Sequence, residues 1–321
     1  MLSAQQNLDY AQVSGGTPAG MLLRQYWQPV AVSRELEARN PLPVKVLGEE
    51  LALFRDKSGR LGLVDDRCAH RGASLSKGDA ALRTVRLDER GIRCCYHGWL
   101  YDTGGQCLEM PTEPDRGAQF CKNIRITSYP TEEKYGFIWA FMGEGDPPCV
   151  PAYDVLTDEA PLRIQNKKLW RCNYFQLFEN FADPAHTAIL HEDTDVEAAF
   201  GEVPEIRSEP SRHGLSVIAA RKEYERLSEI VFPTACRFII PLPDLFTDAL
   251  FWYVPLDDHK TYSYHTMVPR GVTAENRQAK IQQLESFLMR NGIDALHHED
   301  RIGDQDSFAI ESQGAIADRS L

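Results

Sequence analysis

Two short stretches decide the reading: Cys68-Ala69-His70-Arg71-Gly72 and, further on, Cys94-Cys95-Tyr96-His97-Gly98. Each places one cysteine and one histidine within a few residues, and each is followed by a glycine. Together they offer two thiolates and two imidazoles, a donor set that suits either a structural zinc or a [2Fe–2S] cluster in which two histidines replace two cysteines. A zinc finger usually groups cysteine with cysteine and histidine with histidine, whereas here each loop supplies one of each. That arrangement fits a cluster approached from two sides, with thiolates on one iron and imidazoles on the other. The glycines (Gly72, Gly98 and Gly104-Gly105) let backbone N–H groups come close to sulfur. C-x-x-H spacing selects Cys94 over its neighbour Cys95 as the ligand.

The surrounding segment, from Val44 to about Ala140, reads as short β runs such as VKVLGEELALFRDKSG, RLGLVDD and YGFIWAFM. Turns separate them at Asp56-Lys57-Ser58-Gly59, Asp102-Thr103-Gly104-Gly105 and Gly143-Glu144-Gly145. This is an all-β module of about 100 residues. Asp146-Pro147-Pro148 and Pro151 form a linker. The 23 residues between His70 and Cys94 include a polar run, DAALRTVRLDERG, that reads as a surface insertion. Ahead of the module stand a helix with Ser3 as N-cap, a Gly-Gly-Thr-Pro break and the start of a second helix. After it the texture becomes α+β. Phe175–Leu190 reads as a helix, and strands alternate from about Leu215 to Pro269. An amphipathic helix spans Thr273–Arg290, with Ile281, Leu284, Phe287 and Leu288 on one side and Gly292 as its stop. A last helix runs from about Asp306 to the end.

The chain has 321 residues, enough for two cores, and its net charge of −12 disfavours a nucleic-acid partner. MLSAQQNLDYAQV lacks the features of a signal peptide, and no apolar run is long enough to span a bilayer. The expectation is therefore a cytoplasmic protein, in which eight cysteines are not a disulfide framework.

The second half carries its own chemistry. Asp183-Pro184-Ala185-His186-Thr187-Ala188-Ile189-Leu190-His191 has the form D-x-x-H-x-x-x-x-H. Non-haem Fe(II) oxygenases use two histidines and one carboxylate on one face. On a helix Asp183 would meet His186 and fix its imbidazole orientation. His191 would lie about 140° away from His186, so both reach one metal only if the helix ends or bulges between them. The remaining histidines (His213, His259, His265, His297, His298) show no partner pattern.

The stretch CAHRGASLSKGD … CCYHGWLYDTGG closely resembles the Rieske domain of ring-hydroxylating oxygenases, Arg71-Gly72 and Tyr96-His97-Gly98-Trp99 included. GGTPAGMLLRQYWQPVAVSREL and ESQGAIADRS extend the likeness toward the phthalate-dioxygenase-like branch. The resemblance implies a Rieske β domain over 27–146 and a catalytic helix-grip domain over 1–26 and 147–321. It implies a [2Fe–2S] cluster on Cys68, His70, Cys94 and His97, and a mononuclear iron on His186, His191 and a C-terminal carboxylate. Asp300, Asp304 and Asp306 are the candidates there; Asp306, followed five residues on by Glu311 and then by Gln313, fits the family pattern.

By the same resemblance Asp183 bridges His186 to His97 of the partner subunit, and Glu179 lines that path. The implied assembly is a homotrimer or stacked pair of trimers, fed by NAD(P)H through a reductase with FMN and a plant-type [2Fe–2S] centre. The implied reaction is O₂-dependent hydroxylation of an aromatic, carboxylated substrate. Monooxygenation or oxidative O- or N-demethylation uses the same ligands and stays open. A pure Rieske electron carrier and a zinc module are the other readings. Substrate-lining residues are expected within Leu177–Ala199 and Leu215–Met267. Arg207, Arg212, Arg221, Arg226 and Arg237 are candidates to pair a carboxylate, and of Phe251, Trp252 and Tyr253 alternation turns only some inward.

Overall fold

The computed structural model describes residues 2–79, 81–113, 115–156, 162–192, 201–242, 245–290 and 302–320. The chain forms two compact units, Arg24–Pro151 and Met1–Leu23 with Ala152–Leu321. The architecture is α+β, and every named strand pairing is antiparallel.

In the first unit three small sheets share the work. Leu42–Val46, Glu49–Arg55, Leu61–Asp65 and Ser128–Tyr129 form one; Leu87–Asp88, Gly91–Arg93, Leu100–Tyr101 and Cys107–Glu109 form another; Gln28–Val32, Phe137–Ala140 and Thr131–Lys134 form the third. Leu51, Ala52, Leu53 and Phe54 are all buried in succession, so this strand is covered on both faces and its alternation is lost. The unit is not purely β, because Ser33–Ala38 and Gly117–Cys121 are short helices. Part of the expected insertion is structural too: Leu87–Asp88 pairs with Gly91–Ile92 as a hairpin. The Gly91 turn admits no side chain, since φ is +151° and a Cβ would lie 1.9 Å from the Tyr101 carbonyl oxygen.

The second unit holds a seven-stranded sheet in the order Ile164–Trp170, Lys260–Pro269, Leu245–Asp257, Ala235–Leu242, Glu225–Val231, Gly214–Ala220, Glu205–Ser211. Two of its strands, Ile164–Trp170 and Glu205–Ser211, precede the start near Leu215 that the pattern suggested. The helix Tyr174–Ala182 packs on its inner face through Phe178 against Tyr253 (5.2 Å between ring centroids) and Phe181 against Phe238 (5.7 Å). The N-terminal helix Ala4–Ala11 starts at a reciprocal cap: Gln6 N–H donates to Ser3 Oγ and Ser3 N–H to Gln6 Oε1. Tyr10 of that helix stacks on Phe175.

Three expectations are corrected here. The helix expected over Phe175–Leu190 is two pieces, Tyr174–Ala182 and the single turn Thr187–Leu190. Pro184 has no N–H to give and holds Asp183 extended, at φ −106° and ψ 93°, so the helix ends there. The last helix spans Ile302–Glu311 rather than running on from Asp306. The amphipathic helix is Arg277–Arg290, with Leu284 fully buried. Gly292 and the side chains of Phe287 and Leu288 lie outside the described residues.

Candidate functional site: two metal-ligating constellations

The two loops of the first constellation are built on one plan. The Cys68 N–H donates to the Ala73 carbonyl and the Gly72 N–H returns to the Cys68 carbonyl, at 3.0 and 2.8 Å. The Cys94 N–H donates to the Trp99 carbonyl and the Gly98 N–H returns to Cys94, at 2.8 and 3.1 Å. Each turn closes four residues after its cysteine on a glycine of positive φ, +69° at Gly72 and +75° at Gly98. The loops bring the His70 and His97 rings to 4.4 Å, edge to face, with His70 stacked on Trp99 at 4.7 Å.

Cys68 and Cys94 are both buried, at 2% exposure, while Cys95 is only half-buried. The hydrogen bond between the two thiols holds Cys68 down at about 6, aided by the Tyr101 hydroxyl and the His70 backbone N–H, against the opposing effect of burial. The same bond, with burial, pushes Cys94 up. Two buried thiols hydrogen-bonded to one another, and a buried His97 Nδ1 without a hydrogen-bond partner among the described residues, belong to an S₂N₂ donor set that a cluster would satisfy.

Two supporting residues gave no signal in the sequence. The Tyr101 hydroxyl lies 3.3 Å from Cys68 Sγ and accepts from the Ala69 N–H at 3.1 Å. The buried Asp66 carboxylate accepts from Ser74 Oγ, from Ser76 Oγ at 2.6 Å and from the Ser76 N–H at 2.9 Å, which pins the strand leaving the first loop. Arg93 secures the second loop by donating to the Gly98 carbonyl at 2.8 Å while pairing with Asp88 and Glu109.

The second constellation assembles across the sequence. His186 opens the one-turn helix and His191 closes it. Their Nε2 atoms lie 3.6 and 3.3 Å from the same oxygen, Asp306 Oδ1. The three donor atoms fall within 4.8 Å of one another, the grouping a single metal ion requires. The helix break thus comes at Asp183-Pro184, ahead of His186, and the end of the short helix at His191 turns the second ring back toward the first. Asp304 is elsewhere, 3.9 Å from Lys168 Nζ, and Asp300 lies outside the described residues.

Gln305 Oε1 is 2.8 Å from His191 Nδ1 and accepts a hydrogen bond from it, so that a neutral imidazole would present its Nε2 lone pair to a metal. Asn180 Nδ2 sits 3.5 Å from both His186 Nε2 and Asp306 Oδ1. Burial lowers His186, outweighing the charge of Asp306. Burial opposes protonation of His191 too, but the hydrogen bond and charge of Asp306 and the Gln305 contact carry it above the usual range. Neither Asn180 nor Gln305 was foreseen, because an amide in a helix has no ligand spacing to betray it.

Asp183 stands 3.8 Å from His186 Nδ1, beyond a direct hydrogen bond, and its side chain is 52% exposed. Its Oδ1 accepts from the Ala185 N–H at 2.9 Å, fixing the turn. Glu179 points elsewhere: it forms a two-point ion pair with Arg319, both contacts at 2.6 Å. Of the candidate arginines, Arg207 pairs with Glu225 on the surface and Arg237 with Asp248 and Glu229. Arg221 donates to Thr187 Oγ1 and to the Glu202 carbonyl. Arg226 lies over the Phe238 ring, and Arg212 is exposed. Phe251 contacts Phe238 on the inner face while Trp252 turns outward to Tyr153.

Comparison with known proteins gives the family of the chain. The Rieske [2Fe-2S] domain family matches residues 26–130. The 5,5'-dehydrodivanillate O-demethylase oxygenase subunit of Sphingobium sp. is 32% identical over 100% of this chain and 76% of its own length. The chain is a Rieske oxygenase alpha subunit by family. The phenoxybenzoate dioxygenase subunit alpha of Ectopseudomonas oleovorans is 37% identical over 77% of this chain, and the match spans 64% of that relative's length. The reduced oxygenase–ferredoxin complex of carbazole 1,9a-dioxygenase shares the fold, with a TM-score of 0.70 at 22% identity, over 90% of this chain and 81% of that one. Rieske oxygenases carry a [2Fe–2S] cluster and a mononuclear iron and receive electrons from a reductase, so both donor sets have a group that fits them.

Proposed function

We propose that this Rieske oxygenase alpha subunit is the terminal oxygenase component of an NAD(P)H-dependent system that hydroxylates an aromatic, carboxylated substrate. The observation that carries the reading is the presence in one chain of both donor sets: the thiol–imidazole pair of loops and the His186–His191–Asp306 group. Cys68, Cys94, His70 and His97 would hold the cluster, and His186, His191 and Asp306 the iron. When bound, these groups supply electron storage and oxygen activation. The protein's own work is positioning. Gln305 sets the His191 tautomer, Asn180 spans His186 and Asp306, and Asp183 orients His186. Asp183 is exposed enough to meet His97 of the partner subunit, so that the electron passes between sites across a subunit boundary in a homotrimer or a stacked pair of trimers. A reductase with FMN and a plant-type [2Fe–2S] centre fits the incoming electrons. The cytoplasm suits eight free cysteines. Among the described residues no helix is long and apolar enough to cross a membrane.

A second reading, monooxygenation or oxidative O- or N-demethylation, uses the same ligands, and the likeness to a named O-demethylase oxygenase subunit favours keeping it. A pure electron carrier leaves the His186 group without purpose, and iron with acid-labile sulfide in the purified protein would exclude a zinc module. The test is a single turnover: the chemically reduced protein meets O₂ with aromatic acids and their methyl ethers, and products are read by mass. A gain of two oxygens and two hydrogens supports cis-dihydroxylation. A gain of one oxygen, or release of formaldehyde, supports the second reading. No product from fully metallated protein sinks both for this substrate class.

A further inference from the structure

His265 is one of five histidines without a partner pattern in the sequence, yet the fold buries it on the strand Lys260–Pro269, next to the edge strand of the seven-stranded sheet, at 6% exposure. It stands in register between Phe251 and Asn166 on the neighbouring strands. Its ring meets Phe251 edge-on at 4.5 Å, and its Nδ1 has no hydrogen-bond partner among the described residues. Burying such an atom unpaired is unfavourable, and an apolar side chain of the same shape would avoid the cost. Something that hydrogen-bonds to it removes that cost.

The surroundings say what. A row of rings leads from the helix Tyr174–Ala182 to His265: Phe181, next in sequence to Asn180, meets Phe238 at 5.7 Å, Phe238 meets Phe251 at 5.5 Å, and Phe251 meets His265. Flat apolar walls of this kind suit an aromatic ligand. At the far end of the row the charge of Lys168 acts on His265. Lys168, two residues along the strand from Asn166, lies over the Trp170 ring, donates to the Gly303 carbonyl and pairs with Asp304 at 3.9 Å. Burial, aided by that charge, holds His265 at about 3, so the imidazole is neutral, with one N–H on its two ring nitrogens.

We propose that His265 is a specificity-determining residue that donates a hydrogen bond to the carboxylate of an aromatic acid whose ring lies along Phe238 and Phe251. The neutral N–H and the nearby ammonium of Lys168 favour an anionic oxygen there, and the rings exclude water from it. This rests on the oxygenase reading, because the row starts on the helix whose Asn180 spans His186 and Asp306.

The probes are benzoate and toluene, which share a ring and differ in the carboxylate. Their binding to the metallated holoenzyme is measured by calorimetry, and their single-turnover products by mass. His265→Phe should weaken benzoate about 10–100-fold, the range for a hydrogen bond to a charged group, and leave toluene within about 3-fold. His265→Gln, which keeps an N–H, should recover most of the loss. His265→Leu repeats the test if the phenylalanine variant loses either metal. Equal weakening of both probes, undiminished benzoate binding, or a wild type that does not prefer benzoate would each overturn the subsite. A wild type that prefers benzoate yet returns no oxygenated product sinks the oxygenase reading and leaves the subsite standing.

Discussion

The two ligand groups of this chain are made in opposite ways. The cluster loops lie within one 30-residue window, 68–97, and their shape is carried by backbone: matching N–H-to-carbonyl closures on glycines of positive φ. The His186–His191–Asp306 group joins a broken helix to another helix 115 residues further on, and its shape is carried by side chains, Asn180 and Gln305 above all. Backbone closures of the first kind form wherever their sheet forms. The second kind exists only when two distant helices are held at the right depth, so it depends on the whole catalytic core and on Glu179–Arg319 and similar contacts that tether the chain's last residues to the helix Tyr174–Ala182.

Separate ligand removal is the sharpest way to break that contrast. On the proposed assignment Cys68→Ala should abolish both visible cluster absorption and turnover while retaining the mononuclear iron. His191→Ala should abolish turnover with the cluster spectrum intact. Iron analysis should fall from about three per chain to about one and about two respectively. Loss of both groups in either variant would mean that the sites do not form independently. Asp183→Asn comes next: both metals stay bound and turnover drops about 10–100-fold, as for other residues that orient a ligating histidine. Unchanged turnover in that variant would remove Asp183 from the electron path.

The backbone half of the comparison predicts smaller, graded effects. An alanine Cβ at Gly98 would meet Pro111 Cγ at 2.8 Å on top of an unfavourable φ, whereas at Gly72 nothing lies within 4 Å and only the φ is paid. Gly72→Ala should cost about 1–2 kcal/mol and Gly98→Ala more, read as the temperature at which cluster absorbance is lost. The reverse order would show that the two loops are not alike in construction. Smallest is Cys95→Ser, which should leave the cluster spectrum unchanged and shift stability by no more than about 0.5 kcal/mol. A bleached Cys95→Ser protein would transfer the ligand role from Cys94 to its neighbour.

Much of the cluster module was legible because its signals are local. Cys68, His70, Cys94 and His97 announce themselves by spacing, and the turns between strands by Gly and Asp. The helix after Asn173 is legible in its first half, and its end is set by Pro184, which removes a donor and forces the preceding residue to extend. Tyr101, Asp66, Asn180 and Gln305 carried no pattern, since each acts through a single contact with a residue that only the fold brings near. The arginines show the same limit: on sequence Arg207 and Arg237 rank with Arg221, and only their neighbours Glu225 and Asp248 place the first two in ion pairs.

By itself, then, the sequence determined the donor types, the two-loop spacing of the first group, the D-x-x-H-x-x-x-x-H run of the second and the change from β to α+β texture near residue 150. These follow from neighbours along the chain, where bond geometry limits what a few residues can do. Tertiary structure alone decided that Asn180 and Gln305 support the two histidines and Asp306, that Glu179 is held by Arg319, and that His265 ends a row of rings within reach of the charge of Lys168. Those outcomes turn on which strands and helices lie against one another, and on the burial and charge that result, quantities that sum over residues far apart in sequence.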